Sequence, residues 1–198
     1  LGIVGVFLGL CMLLFKDKKR IDIQNSTNAQ EEKLSFAEVM TILVNALRKS
    51  PALTLTISGG VFYHIILGAA AFEQIWLVEE RGFDRSVIAQ ISGIIAVFAG
   101  LAGVLFGGLV SDWWLEKTNQ GRPIFLFWLS LILLPLGVIY RFVEPTTVIF
   151  WVGVVVGYFQ LGCFYGPTFS TVQELVPEKI RATIVAFYIL CINLIGLT

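Results

Sequence analysis

The chain has 198 residues, 57% hydrophobic and 14% charged, with formal net charge zero and mean hydropathy +0.83. Soluble domains carry about 25% charged residues, so a water-soluble globule is excluded, and without net positive charge no nucleic acid is expected as a partner. Apolar stretches of around 20 residues recur, each long enough to cross a hydrocarbon core of about 30 Å. Composition therefore predicts an all-α fold, a polytopic transmembrane helix bundle in contact with the lipid bilayer.

Residues 1–15 are apolar but give only about 22 Å of helix, and they read as the tail of a truncated transmembrane helix. The chain opens at Leu1 and stops at Thr198, both inside apolar runs and with no basic leader. An internal fragment of a longer protein is expected. Residues 16–51 form the one long polar connection. Its first part, KDKKRIDIQNSTNAQEEK, is charged and has no periodic pattern. Its second part predicts an amphipathic helix over 35–49. Ser35 and Glu38 have capping-box spacing, Phe36, Val39, Met40, Leu43 and Leu47 share a face, and Pro51 ends the helix. Two readings stand open, an interfacial helix lying on the membrane and a helix that docks on a partner.

A C-terminal transmembrane bundle follows over 52–198. Five spans are predicted, at 52–77, 87–110, 124–140, 148–171 and 183–198, the last cut short. Short loops join them at 78–86, 111–123, 141–147 and 172–182. If the spans alternate, eleven of the fourteen Lys and Arg residues fall on one side and three, Arg81, Arg85 and Arg141, on the other. The positive-inside rule then places the 16–51 connection and the 111–123 and 172–182 loops in the cytoplasm. Trp76, Trp113, Trp114, Trp151 and Tyr140 stand near span ends, as an aromatic belt would.

Helices in lipid approach closely through small residues. Gly93, Ala96, Gly100, Gly103 and Gly107 form such a stripe on the second full span, and Gly153, Gly157, Gly162 and Gly166 lie along the fourth. The stripes fit a static bundle and they also fit surfaces that slide. Pro135 and Pro167 are each expected to remove a helix hydrogen bond and kink their spans. Cys11, Cys163 and Cys191 all lie in apolar runs and read as small hydrophobes with no disulfide or metal spacing.

Ionisable and amide groups at membrane depth are functional candidates by default. His64, the one histidine, lies midway along its span with Gly60 and Gly68 four residues to either side. It could bind a proton or substrate, or be satisfied by a neighbouring helix's carbonyl. Glu73 could carry a proton if buried, or reach outer water beside Glu79 and Glu80. Gln90, Gln160 and Asn193 either contact a solute or hydrogen-bond between helices. Tyr158 and Tyr165 flank Gln160.

GGLVSD at 107–112, closing one span before a basic loop, resembles the Gly-x3-Asp signature of the major facilitator superfamily. Gly108 and Asp112 match its first half. Trp113 stands where a basic residue is usual, and Lys117, Gly121 and Arg122 come later. The long amphiphilic connection resembles the linker between that family's two six-helix halves. The run YGPTFSTVQELVPEKIRATIVAFYILCINLIG at 165–196 is similar to the tenth and eleventh helices of Spinster-like and related anion transporters. The resemblance implies half of a twelve-helix fold, from the end of the sixth helix to part of the eleventh. It implies a cytoplasmic gate formed by Gly108, Asp112, Lys117, Arg122 and Arg181 that latches the outward-open form. From residues alone, Asp112 could equally cap and solvate a loop. The implied central cavity is lined by the seventh and tenth helices, which favours Tyr63, His64, Tyr158, Gln160 and Tyr165 as contacts.

The expected function is that of a secondary active transporter working by alternating access in the plasma (inner) membrane. It would move a small organic solute, an organic anion and a lipid being candidates, with a coupling proton in a symporter mechanism. Its partners would be the small-molecule substrate, that proton, the bilayer and the missing N-terminal helices of the same protein. No cofactor or metal is expected. The rival classes are a membrane-embedded lipid-modifying enzyme, which needs carboxylates or histidines clustered at one interface, and a channel or receptor. GxGxxG, Walker and HExxH patterns are absent, and with His64 the only histidine no Ser–His–Asp set is proposed, so no enzyme activity is expected.

Overall fold

Seven α-helices succeed one another over the residues that the computed structural model describes, 35–70 and 72–195. The helix tail expected over 1–15 and the charged stretch over 16–33 lie outside them. Helix α1 (Phe36–Lys49) starts directly after Ser35 and is separated from α2 (Pro51–Ala70) by Ser50 alone. Pro51 opens α2 at a position where its missing N–H is no loss. Thr54 Oγ donates to the Leu47 carbonyl at 2.8 Å and ties the two helices together. The apolar stripe of α1 is divided. Leu43 is buried in a cluster with Leu53, Ile57, Val172, Val176 and Ile180, whereas Met40 is 41% exposed. Helix α1 thus packs part of its apolar face on the bundle and leaves part of it exposed.

Helix α3 (Glu73–Glu79) follows α2, and the two together form the first span, Pro51–Glu79. Gly82, with φ +72°, supplies a backbone turn that side-chain-bearing residues avoid. Asp84 then caps α4 (Arg85–Thr118) by accepting from the Ser86 and Val87 N–H groups. Helix α4 runs past the expected end at 110. Trp113 to Lys117 contain no helix breaker, and the helix stops only where Asn119 turns left-handed at φ 55°. The expected loop over 111–123 therefore shrinks to residues 119–121, and Asp112 and Lys117 stand on helix rather than loop.

Helix α5 (Arg122–Ile139) holds Pro135, and α6 (Val148–Glu174) holds Pro167. Thr147 caps α6 by accepting from the Phe150 N–H. A short 3-10 turn (Glu178–Ile180) leads into α7 (Arg181–Leu194).

The most extensive packing joins α4 to α6. A Cβ at Gly103 would overlap the Phe159 carbonyl, one at Gly107 would meet the Cys163 backbone, and one at Gly162 would meet the Gly100 carbonyl. Partner numbers rise together along both helices, so α4 and α6 run parallel. That is what alternate threading of spans requires. Gly93, at the other end of the predicted stripe, faces open space. On α2, Gly60 makes room for the ring of Tyr188 from α7.

Among the described residues, four helical segments are long and apolar enough to cross a membrane: Pro51–Glu79, Arg85–Thr118, Arg122–Ile139 and Val148–Glu174. Helix α7 is apolar but shorter. Phe98, Leu101, Leu105 and Leu109 stand more than half exposed along α4. An apolar face of that extent suits lipid or further helices, and water would penalise it.

Candidate functional site

Three groups of polar side chains stand out, one at each end of the bundle and one between. The first lies at the end where α4 stops, α5 starts and α6 stops. Arg122 opens α5, so its guanidinium starts between the last turns of the two neighbours. Its Nε donates to Asp112 at 2.7 Å and its terminal nitrogen to Glu174 at 2.5 Å. The Arg122 side chain is only 11% exposed, while the carboxylates are 60% and 55% exposed. A guanidinium is suited to this role because its fixed fork can serve two carboxylates at once. Asp112 thus pairs with a side chain of the next helix.

Arg181 belongs to the same end. Its Nε donates to the Gln173 carbonyl at 3.2 Å, and it pairs with Glu178 at 3.4 Å. It thereby satisfies one of the orphan carbonyls at the end of α6, next to Glu174. Gly108 backs onto Gly166. Lys117 is exposed in the last turn of α4.

At the opposite end, Tyr140 donates to Glu73 at 2.7 Å, joining the end of α5 to the start of α3. Trp76 lies edge-on to Tyr140. The guanidiniums of Arg81 and Arg141 stand 4.7 and 5.5 Å from the Trp76 ring centre, within cation–π range. Arg81 also donates to the Arg141 carbonyl. These contacts bring the 78–86 and 141–147 turns together, away from the Asp112–Arg122 group. Among the described residues, Arg81 and Arg141 thus lie at one end and Arg122 and Arg181 at the other, as the alternating count expects.

Between the ends, His64 is 3% exposed. A carbonyl can only accept, so Nδ1 carries the proton and donates to Gly60 O at 2.9 Å. In the neutral ring Nε2 is then the acceptor, and the Tyr165 hydroxyl faces it at 3.4 Å, a long contact. Tyr63 stacks on Phe164 with centroids 4.1 Å apart, and Phe164 also meets the His64 ring edge-on. Tyr63, His64 and Tyr165 therefore gather at the seam between α2 and α6.

The remaining candidates are dispersed. Gln160 donates to Ser130 at 3.1 Å and links α6 to α5. Asn193 is exposed and donates to the Ile189 carbonyl of its own helix at 2.8 Å. Gln90 is exposed. Tyr158 lies near Gln74 and Ser92, apart from His64. Glu174 and Ser92 were not singled out by sequence, and Tyr140 was read only as part of an aromatic belt. A carboxylate closing an apolar span was the available signal for Glu174. No group of three or more His, Cys, Asp or Glu side chains able to hold a metal occurs among the described residues.

Four apolar helical segments long enough to cross a membrane, two of them packed in parallel through glycines, fit an integral membrane protein. The family model for the Major Facilitator Superfamily matches residues 1–198, and the chain belongs to that superfamily. No curated protein and no solved structure matches it.

Proposed function

We propose that these helices form the C-terminal half of a secondary active transporter. It moves a small organic solute across the plasma membrane by alternating access and couples that movement to a proton. The N-terminal helices of the same protein would complete the pathway. The observation that carries this reading is His64. It is a buried imidazole whose Nδ1 is fixed by Gly60 and whose Nε2 meets a hydroxyl that can reverse its role. When Nε2 is bare, Tyr165 donates to it; when Nε2 gains a proton, the Tyr165 oxygen accepts. The seam can therefore take up and release a proton without orphaning a buried polar atom.

Gly108, Asp112, Lys117, Arg122 and Arg181 form the cytoplasmic gate in this reading. Arg122 holds the ends of α4, α5 and α6 together while the pathway is open to the outside. The tie loosens when the pathway opens inward. Glu73 serves the outer side through Tyr140. Gln160 braces α6 against α5, while Gln90 and Asn193, both exposed, remain candidate solute contacts. The Spinster-like resemblance favours an organic anion or a lipid as substrate.

The test is uptake by the full-length protein in proteoliposomes with an imposed pH gradient, over a panel of neutral, anionic and zwitterionic solutes. Saturable accumulation that follows the gradient is expected. Single-channel conductance, or covalent turnover of a lipid with no uptake, would contradict the proposal.

A further inference from the structure

We propose that the cavity between α3, α4 and α6 binds a small uncharged solute bearing several hydroxyl or amide groups. This rests on the transport reading and narrows it to a substrate class other than the organic anion. The cavity holds about 730 Å³, within the range of pockets that take small organic ligands. Its α4 wall is low, built from Ala89, Gly93 and Ala96. A Cβ at Gly93 would meet nothing within 4 Å. The part of the α4 glycine stripe that does not touch α6 thus leaves room for a ligand.

Three uncharged polar side chains from three helices converge on that room: Gln74, Ser92 and Tyr158. Ser92 is 4% exposed, and its Oγ has no hydrogen-bond partner. The Tyr158 hydroxyl lies beside both Gln74 and Ser92, and no hydrogen bond of ordinary geometry joins it to that Oγ. Buried hydroxyls are nearly always partnered, so the orphaned Ser92 Oγ points to a group that arrives from the cavity. A ligand hydroxyl or amide can serve Ser92, Tyr158 and Gln74 together, because each can donate as well as accept.

Charge decides the class. Glu79 and Arg85 are exposed at the cavity's edge, one of each sign, and neither forms an ion pair among the described residues. Ser92 lies seven residues beyond Arg85, about 10 Å further along the helix. No charged side chain lines the cavity at that depth, and the nearby carboxylate of Glu73 accepts from Tyr140. An anion brought to Ser92 would lose its hydration with no cation to replace it. A neutral solute avoids that penalty.

The experiment is thiol labelling of the full-length protein in detergent, with Ser92→Cys in a background lacking native cysteines. Maleimide labelling rates are read with and without myo-inositol, sorbitol, N-acetylglucosamine, lactate, inorganic phosphate or glycine betaine. At least one of the three neutral solutes is expected to slow labelling several-fold, while lactate, phosphate and betaine leave the rate unchanged. The proposal is overturned by an unreactive thiol, by equal protection from lactate or phosphate, or by no protection from any neutral solute. Gly93→Cys, on the open wall, reads the same cavity if Ser92→Cys does not fold. Protection without uptake would sink the transport reading and leave the site standing. Uptake of an anion without protection by any neutral solute would do the reverse.

Discussion

Arg122 and Asp112, ten residues apart, meet across the α4–α5 turn at 2.7 Å, and the same guanidinium reaches Glu174 at the end of α6. One cation therefore ties three helix ends, and removing it leaves two carboxylates facing each other. Both are more than half exposed, so water screens much of the effect. Arg122→Gln is expected to destabilise by roughly 1 kcal/mol, and Arg122→Lys by less, since an ammonium keeps the charge but loses the fork. Thermal unfolding of the full-length protein in detergent at low and high salt checks this. The gap between wild type and Arg122→Gln should narrow as salt rises.

The α4–α6 contact gives a second prediction. A methyl group at Gly107 would enter the Cys163 backbone, whereas one at Gly100 meets nothing. Gly107→Ala should destabilise by about 1–3 kcal/mol through overpacking. Gly100→Ala should be neutral or stabilising, because alanine is the better helix former. Melting temperatures of the two variants, compared directly, separate a tight seam from a loose one.

Tyr140 and Glu73 form the tie at the opposite end. Tyr140→Phe keeps the ring that packs on Trp76 and Phe150 and removes only the donor. A loss of roughly 1 kcal/mol is expected. A double-mutant cycle with Glu73→Gln should return a coupling of similar size. A coupling of zero would mean that the hydrogen bond contributes nothing to stability.

His64→Gln tests the proton reading. Glutamine can keep a hydrogen bond towards Tyr165 but cannot take up a proton near neutral pH. Accumulation driven by a pH gradient should disappear, while solute exchange between equal pools should survive. Unchanged gradient-driven uptake would remove His64 from the coupling mechanism.

Much of this bundle was legible because apolar runs and loop charges are local properties of the chain. The spans at 124–140 and 148–171 fall within a few residues of α5 and α6. Gly103 and Gly107 touch a neighbour as their spacing suggests, since helical periodicity alone puts them on one face. The pairing of Asp112 with Arg122 was within reach for the same reason, being short in sequence. Glu174 was not, because it stands 52 residues from Arg122 and only the relative register of three packed helices brings it there. Tyr140 and Glu73 are 67 residues apart and were hidden in the same way. Helix α4 outruns the predicted span because an apolar run marks only the membrane-crossing part, and residues 113–118 are good enough helix formers to continue beyond it. Ser92 carried no signal at all. A serine in an apolar span is ordinary, and only packing shows that its hydroxyl lacks a partner.

The account depends above all on the threading of the helices through the membrane. Single cysteines at Glu144, in the turn between α5 and α6, and at Lys117, in the last turn of α4, can be placed in the full-length protein without native cysteines. Labelling with a membrane-impermeant maleimide in intact cells, then after permeabilisation, reads their sides. Glu144→Cys should label in intact cells and Lys117→Cys only after permeabilisation. Labelling of Lys117→Cys in intact cells, with Glu144→Cys protected, would contradict the account.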